Sequence, residues 1–186
     1  GAEVVAILGS TRESSSKTAE ELKKEFNINV RPYYNLGELI KWEKLDAVSI
    51  CTPPEMHENQ VRICLENNLH VMCEKPFVQT FNSNYKTVEE LFDLAERKGR
   101  ILTLNTQWAS IVDYFRRYVD LGNLTSLSIY MEPAERGLDM LRSFLPHTNS
   151  VLIGLMPNGK ADNIEFLSKT AEAIKLKLKY KNSERE

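Results

Sequence analysis

Glycine is scarce and scattered along this chain of 186 residues. The sequence has eight glycines, and no two of them lie close together. Loops that cradle a phosphate with their backbone N–H groups need several glycines within a few positions, because only glycine tolerates the tight turn and the close approach. These residues therefore contain no glycine-rich phosphate loop of their own.

A surplus of positive charge and a long apolar run are both missing. The 24 lysines and arginines are balanced by 26 aspartates and glutamates, for a net charge of -2. That balance argues against a general nucleic-acid binder, whose affinity depends on neutralising phosphates. No apolar run approaches the ~20 residues that a membrane-spanning helix needs, and no secretion leader is recognised at the N-terminus. We therefore expect neither a nucleic acid nor a membrane as a partner.

Cysteines are few, and their spacing matches no disulfide or metal framework. The three of them are Cys51, Cys64 and Cys73, with no Cys-x-x-Cys pair. An odd number with this spacing argues against a disulfide network or a zinc site, so we predict no bound metal. The three cysteines are predicted to be buried free thiols, which suit a reducing cytoplasm.

The first half of the sequence alternates between short apolar runs and amphipathic stretches. The apolar runs 3–8, 46–51, 69–73 and 101–104 predict buried strands, and the segments between them predict helices. Strand–helix–strand repeats at this spacing indicate a parallel sheet with helices on its faces, which is an α/β fold. Open sheets of this kind bind ligands beyond the carboxyl ends of their strands, so the residues that follow each strand are the first candidates for function.

The pattern changes near residue 122. Residues 124–131 predict a strand, and a helical pattern follows that Pro146 must begin or kink. Apolar residues then alternate with lysines over 174–181, and this two-residue period predicts a strand with one buried and one solvated face. A partner strand around residues 164–166 would complete an antiparallel sheet.

One stretch carries most of the recognisable chemistry. Residues 46–77 read DAVSICTPPEMHENQVRICLENNLHVMCEKPF. They combine a strand, a Thr-Pro turn, a histidine at the start of a helix, a second strand and a Glu-Lys-Pro turn, in that order. This arrangement resembles the Gfo/Idh/MocA family of NAD(P)-dependent oxidoreductases, which act mostly on sugars and polyols.

The resemblance implies a division into two domains. Residues 1–121 would form a Rossmann-like nucleotide-binding domain, and 122–186 the start of an α+β domain with an antiparallel sheet for substrate binding and dimerisation. Residues 4–8 match the family's second strand, so we expect the Rossmann-like sheet to lack its first βα unit, with the glycine loop. We also expect the second domain to be incomplete at its end. Family members often pair through that second-domain sheet, which implies a homo-oligomer.

Two short segments follow predicted strands and should face one crevice at the carboxyl edge of the sheet. They are Thr52-Pro53 and Glu74-Lys75-Pro76. A lysine there offers a compact positive charge that can hydrogen-bond a substrate hydroxyl and stabilise an alkoxide. In the family, the matching lysine contacts substrate and nicotinamide ribose. The resemblance therefore implies that Lys75 is catalytic, that its neighbours bind the cofactor, and that the Lys75–Pro76 bond is cis. Without the resemblance, Lys75 would be an ordinary loop lysine before a proline.

Two histidines are further candidate site residues. His57 begins the helix after the Thr-Pro turn, and the resemblance implies that it helps close a loop over the cofactor; a helix-capping histidine is the alternative. The family also has an Asp-x-x-x-His pair, whose spacing places both side chains on one helical face and whose histidine acts as general base. His147 matches that histidine, but the residue four before it is Ser143. Asp139 is two helical turns away and cannot easily replace the missing acid.

The tip of the predicted strand 3–8 bears on the choice of cofactor. An acidic residue there hydrogen-bonds the adenosine ribose in NAD enzymes, whereas an arginine accommodates the extra phosphate of NADP. This strand is followed by Gly9, Ser10, Thr11 and Arg12, with no acid. Small hydroxyls and a guanidinium suit a 2′-phosphate. We therefore expect Ser10, Thr11 and Arg12 to bind NADP rather than NAD, unless Arg12 is only an exposed loop residue.

These features together favour an oxidoreductase that transfers a hydride between a nicotinamide and a sugar- or polyol-like alcohol or carbonyl. The absent glycine loop and Ser143 leave a second hypothesis open, in which a protein of the same fold binds dinucleotide or acts as a scaffold without catalysis. A third hypothesis is an interaction module that dimerises through the sheet ending at Tyr180.

Overall fold

The computed structural model describes residues 1–78, 85–121, 124–132, 134–170 and 172–182. Its first half alternates strands and helices in the predicted order. The elements are β1 (Ala6–Leu8), α1 (Arg12–Phe26), β2 (Arg31–Tyr33), α2 (Leu36–Trp42), β3 (Ala47–Ile50), α3 (Pro54–Glu66), β4 (His70–Cys73), α4 (Tyr85–Lys98) and β5 (Leu102–Leu104). β1 pairs with β2, and β3 pairs with β4, which pairs with β5, always in parallel. The α/β prediction is confirmed.

An apolar core lies between the three-stranded sheet and the helices α3 and α4. On α3, Val61, Cys64 and Leu65 share one face, because positions i, i+3 and i+4 adjoin on a helix, and all three are fully buried. Leu91 of α4 and Val71 of β4 belong to the same buried cluster. Close packing of these side chains fixes α3 against the sheet, and with it the loops at the carboxyl ends of β3 and β4.

In the second half, the described residues form two helices and one antiparallel strand pair. They are α5 (Trp108–Phe115), α6 (Asp139–Leu155), β6 (Gly159–Lys169) and β7 (Ile174–Asn182). Ile164 lies opposite Leu178 and Phe166 opposite Leu176, so the predicted antiparallel sheet is confirmed. The domain division stays a prediction, since residues 122 and 123 lie outside the described ranges. Within those ranges, no helix has the length and apolar character needed to cross a membrane.

Three local predictions need correction or refinement. Residues 124–131 form no strand, because strands need neighbours to satisfy their backbone groups and no described strand pairs with them. Pro146 lies inside α6 rather than at its start. Cys51 is exposed rather than buried, because it follows β3 at the open edge of the sheet. Burial raises the pKa of Cys64 to about 11 and that of Cys73 to about 12, so both remain thiols at neutral pH.

α5 and α6 pack closely together. A Cβ atom on Gly154 of α6 would stand 2.9 Å from Val112 Cγ2 and 3.0 Å from the Ala109 carbonyl oxygen, so only glycine allows this approach. Arg116, the residue that follows α5, donates a hydrogen bond of 3.0 Å to the carbonyl oxygen of Gly154. Since α5 closely follows β5, this packing holds α6 beside the carboxyl edge of the parallel sheet.

Candidate active site

The Glu-Lys-Pro segment leaves β4 at the carboxyl edge of the sheet and is anchored there by hydrogen bonds. The Glu74 N–H donates to the Ile50 carbonyl oxygen at 2.9 Å, which continues the ladder with β3. One Glu74 carboxylate oxygen accepts a hydrogen bond from the Asn105 amide, and the other accepts from the Lys75 N–H at 3.2 Å. Sequence reasoning missed Asn105, although its position directly after β5 places it at the same edge.

His57 joins the two loops that carry most of the predicted cofactor residues. Its ring is 1% exposed, with Nδ1 2.9 Å from the Pro76 carbonyl oxygen and Nε2 2.8 Å from the Thr52 carbonyl oxygen. A neutral imidazole donates to one of these acceptors and an imidazolium to both. The Thr52 hydroxyl also donates to Gln60 at 2.6 Å, and the Lys75–Pro76 bond is cis as predicted. The His57 ring therefore contacts both loops and holds them together, which is more than a cap of α3 would do.

The His57→Leu substitution is expected to lower the free energy of unfolding by about 2–4 kcal/mol, because a buried carbonyl would lose its donor. Urea unfolding measures the loss. Asn59→Leu, on an exposed position of the same helix, is the control and should change stability by less than about 0.5 kcal/mol. Equal losses in both variants would show that leucine perturbs α3 and that the imidazole contacts contribute nothing.

His147 is brought to the same edge from α6. Burial lowers the pKa of its imidazole, the positive charge of Lys75 lowers it further, and the Glu74 carboxylate partly opposes both effects. The three side chains are therefore within electrostatic reach of one another. A lowered pKa leaves the imidazole neutral at pH 7, which is the form that accepts a proton. The ring of Trp108 stacks on that of His147, a contact that sequence reasoning did not identify.

A carboxylate lies beside Ser143, although the sequence lacks an aspartate there. A hydrogen bond from Ser143 lowers the pKa of Glu135, and the positive charge of Lys75 acts in the same direction. Glu135 precedes α6 and is exposed. Helical spacing did not reveal it, because it lies outside the helix that carries His147.

Ser10 and Thr11 lie between β1 of the other parallel sheet and α1, and Arg12 is the first residue of α1. Thr11 caps α1: its hydroxyl accepts a hydrogen bond of 3.0 Å from the Ser14 N–H, and Ser14 Oγ accepts from the Thr11 N–H at 3.1 Å. The Arg12 guanidinium donates to the Tyr34 hydroxyl at 3.0 Å and lies 5.0 Å from the centre of that ring. The Thr11 hydroxyl is thus engaged locally, whereas Arg12 is exposed and oriented by Tyr34.

Outside this edge, the described residues form no second centre of comparable chemistry. Among the described residues, no group of three His, Cys, Asp or Glu side chains is arranged to hold a metal ion. An open depression of about 450 Å³ lies against α1 and β2, with Ala19, Lys23, Val30 and Pro32 in its lining. None of the predicted site residues lines it. The chemically useful groups therefore concentrate at the carboxyl ends of the strands.

Comparison with known proteins places the chain among oxidoreductases. Residues 1–106 match the Gfo/Idh/MocA family, described as an oxidoreductase family with an NAD-binding Rossmann fold. Over 98 residues the chain is 33% identical to a Schizosaccharomyces pombe protein described as an uncharacterized oxidoreductase, covering 52% of this chain and 26% of that protein. Over 88 residues it is 32% identical to scyllo-inositol 2-dehydrogenase (NADP+) of Bacillus subtilis, covering 47% of this chain and 25% of that enzyme.

A solved structure extends the likeness in fold to nearly the whole chain. The structure of the YvaA protein of Bacillus subtilis matches with a TM-score of 0.65 and 21% sequence identity, over 98% of this chain and 62% of that protein. The chain spans about a quarter of the length of the curated relatives named above. Because the family match covers more than half of the 186 residues, the chain belongs to the Gfo/Idh/MocA family of oxidoreductases with an NAD-binding Rossmann fold.

Proposed function

We propose that the protein is an NAD(P)-dependent oxidoreductase that transfers a hydride between a nicotinamide and the alcohol or carbonyl carbon of a small sugar- or polyol-like molecule. The observation that carries the proposal is the convergence of Lys75, Glu74 and His147 at the carboxyl edge of the parallel sheet. A fixed cation beside a neutral imidazole provides the charge stabilisation and the proton acceptor that alcohol oxidation needs.

Lys75 and His147 would act on the same substrate oxygen. During oxidation, His147 accepts the hydroxyl proton on its ring, and the Lys75 ammonium stabilises the negative charge that develops on that oxygen. Glu74, held by Asn105, keeps the lysine loop in place. A nicotinamide dinucleotide held at this edge would supply the hydride acceptor. In the reduction direction, His147 returns its proton to the carbonyl oxygen while Lys75 polarises the carbonyl bond.

The residues present suit a dinucleotide, with NADP preferred and NAD as the alternative. The exposed Arg12 guanidinium, oriented by Tyr34, matches a 2′-phosphate. One relative is named for its use of NADP+. Among the described residues, the buried Nδ1 of His147 has no hydrogen-bond partner, which is consistent with a polar group of a ligand binding at the nicotinamide end. We assign the adenosine phosphate to Ser10, Thr11 and Arg12, and the nicotinamide end to Thr52, Pro53, His57, Glu74, Lys75 and Pro76.

The Arg12→Ala substitution is expected to weaken NADP+ binding by about 10- to 100-fold and to leave NAD+ binding nearly unchanged. Charge-assisted hydrogen bonds to a phosphate contribute about 1.5–3 kcal/mol, and NAD+ lacks that phosphate. Calorimetric titration with each dinucleotide measures both affinities. Arg97→Ala, an exposed arginine on α4, is the control. Tighter binding of NAD+ by the parent, unaffected by Arg12→Ala, would contradict the NADP preference.

The proposed reaction is tested by supplying the protein with NADP+ or NAD+ and a panel of sugars and polyols that includes inositols. Reduced nicotinamide, followed by its absorbance, should accumulate with at least one compound and faster with NADP+. Calorimetry on the same preparation reports binding independently of turnover. Tight binding of dinucleotide with no turnover on the whole panel would contradict the enzymatic proposal.

That outcome would favour the second candidate, a catalytically inactive dinucleotide-binding or scaffold protein of the same fold. The observation that favours it is Ser143, which stands where the family has an aspartate. A serine hydroxyl carries no charge with which to stabilise an imidazolium. Turnover abolished by a substitution of Lys75 would exclude this candidate.

We further propose that the protein forms a homo-oligomer through the β6–β7 sheet and works in the cytoplasm. Ile164 and Phe166 are 53% and 54% exposed although their cross-strand partners are apolar, and a contiguous exposed apolar face marks an interaction surface. The cytoplasmic location is supported by the free thiols, which suit a reducing compartment. A sedimentation mass equal to that of one chain would contradict the proposed assembly.

A further inference from the structure

The Nδ1 atom of His147 lacks, within the described part of the chain, the hydrogen bond that usually fixes a catalytic histidine. This atom is buried and meets no hydrogen-bond partner among the residues that the structure describes. Ser143, one helical turn earlier, hydrogen-bonds to Glu135. Because the torsion that rotates an imidazole about its bond to Cβ has broad minima, the ring needs another contact to keep a single orientation.

Trp108 provides that contact. Its ring stacks on His147 with the ring centroids 4.9 Å apart and 28° between the ring planes. Trp108 is the first residue of α5, and α5 meets α6 so closely at Gly154 that a Cβ atom would clash. The two helices, and with them the two rings, are therefore held at a fixed spacing.

The stacked indole also affects the charge of the imidazole. Burial and Lys75 disfavour the imidazolium and Glu74 favours it; among the described residues, Lys75 and Glu74 are the charged groups that shift the pKa of this ring. The face of an indole is electron-rich and attracts a cation placed over it. Trp108 therefore acts in the same direction as Glu74 and against Lys75, without itself carrying a charge.

We propose that Trp108 is the positioning residue of His147: its indole face holds the imidazole beside Lys75 and stabilises the imidazolium formed when His147 accepts a proton. In this role it replaces the aspartate that the chain lacks four residues before His147. The proton transfer rests on the proposed function, whereas the ring contact and its effect on the charge of His147 do not.

The test follows the ring signals of His147 by NMR across a pH titration. His147→Gln identifies the signal among the three histidines of the chain. Trp108→Leu keeps an apolar cover over the imidazole but removes the π face, and Trp108→Phe keeps a smaller π face. Trp42→Leu is the matched control, because the other tryptophan is 65% exposed.

In Trp108→Leu, we expect the ring-current displacement of the His147 signals to disappear and the titration midpoint to fall by about 0.5 to 1 pH unit. Trp108→Phe should lie between this variant and the parent, and Trp42→Leu should match the parent. If the protein turns over substrate, Trp108→Leu should lower kcat about tenfold or more with little change in KM.

Parent-like ring signals and midpoint in a folded Trp108→Leu would overturn the proposal. If Trp108→Leu fails to fold, Trp108→Phe provides the test instead. A His147 signal in Trp108→Phe identical to that of the parent would then overturn the proposal. Expected NMR changes without turnover in the parent would instead overturn the proposed function and leave the ring contact standing. Turnover in the parent with unchanged NMR signals in the Trp108 variants would overturn the role of Trp108 and leave the proposed function standing.

Discussion

Replacing Lys75 by methionine is expected to lower kcat by about 10²- to 10³-fold, because it removes the charge that stabilises the substrate oxygen in the transition state. Methionine keeps the apolar stem, so the loop after β4 should keep its shape. That shape depends on the contact of His57 with the Pro76 carbonyl and on the hydrogen bond from Asn105 to Glu74, neither of which uses the lysine ammonium. Steady-state kinetics at saturating dinucleotide measures the loss, and circular dichroism verifies the fold.

Lys44→Met is the matched control, because Lys44 is exposed and lies outside the site, and its kcat should equal that of the parent.

A second measurement of the role of Lys75 does not need turnover. Since the positive charge of Lys75 lowers the pKa of His147, Lys75→Met should move the His147 titration to higher pH. A parent-like kcat in Lys75→Met would contradict the catalytic role and leave an ordinary loop lysine.

Much of the architecture was predictable because its signals are local in the sequence. The two-residue alternation over 174–181 required only neighbouring residues, and it became β7 paired with β6. Apolar runs bounded by turns marked the parallel strands in the same way. Because ligands of such sheets bind beyond the strand ends, this local pattern placed Thr52 and Lys75 at one edge, and the family resemblance then singled them out as site residues. Their proposed roles stay predictions until they are measured.

The rest of the site was not predictable because it arises from tertiary contacts. The hydrogen bond between Asn105 and Glu74 joins residues 31 positions apart, and the ring contact of Trp108 and His147 joins two helices. Nothing in the local pattern of either segment identifies its partner. Residues 124–131 show the opposite failure: they have the composition of a strand, but a strand exists only where another strand pairs with it.

The same dependence on tertiary contacts explains why the sequence alone does not choose between the two roles of His57. Its position at the start of α3 suggested a cap, and sequence alone shows only which residues adjoin it. The fold instead buries the ring between the carbonyl oxygens of Thr52 and Pro76, which belong to loops after different strands. The histidine thereby connects the two loops. This contact exists because β3 and β4 are neighbouring strands, which the spacing of residues in the sequence does not show.

Replacing His147 by asparagine is expected to lower kcat by about 10²- to 10⁴-fold, because it removes the general base. In the parent, kcat/KM for alcohol oxidation should fall as acid protonates the imidazole. Burial and Lys75 both lower the pKa of His147, so this fall should lie below pH 6.5. It should vanish in His147→Asn and persist in the control His70→Asn, whose ring accepts the Ile101 N–H at 2.9 Å outside the site. An acidic fall that survives in His147→Asn would belong to another group and would remove His147 from the mechanism.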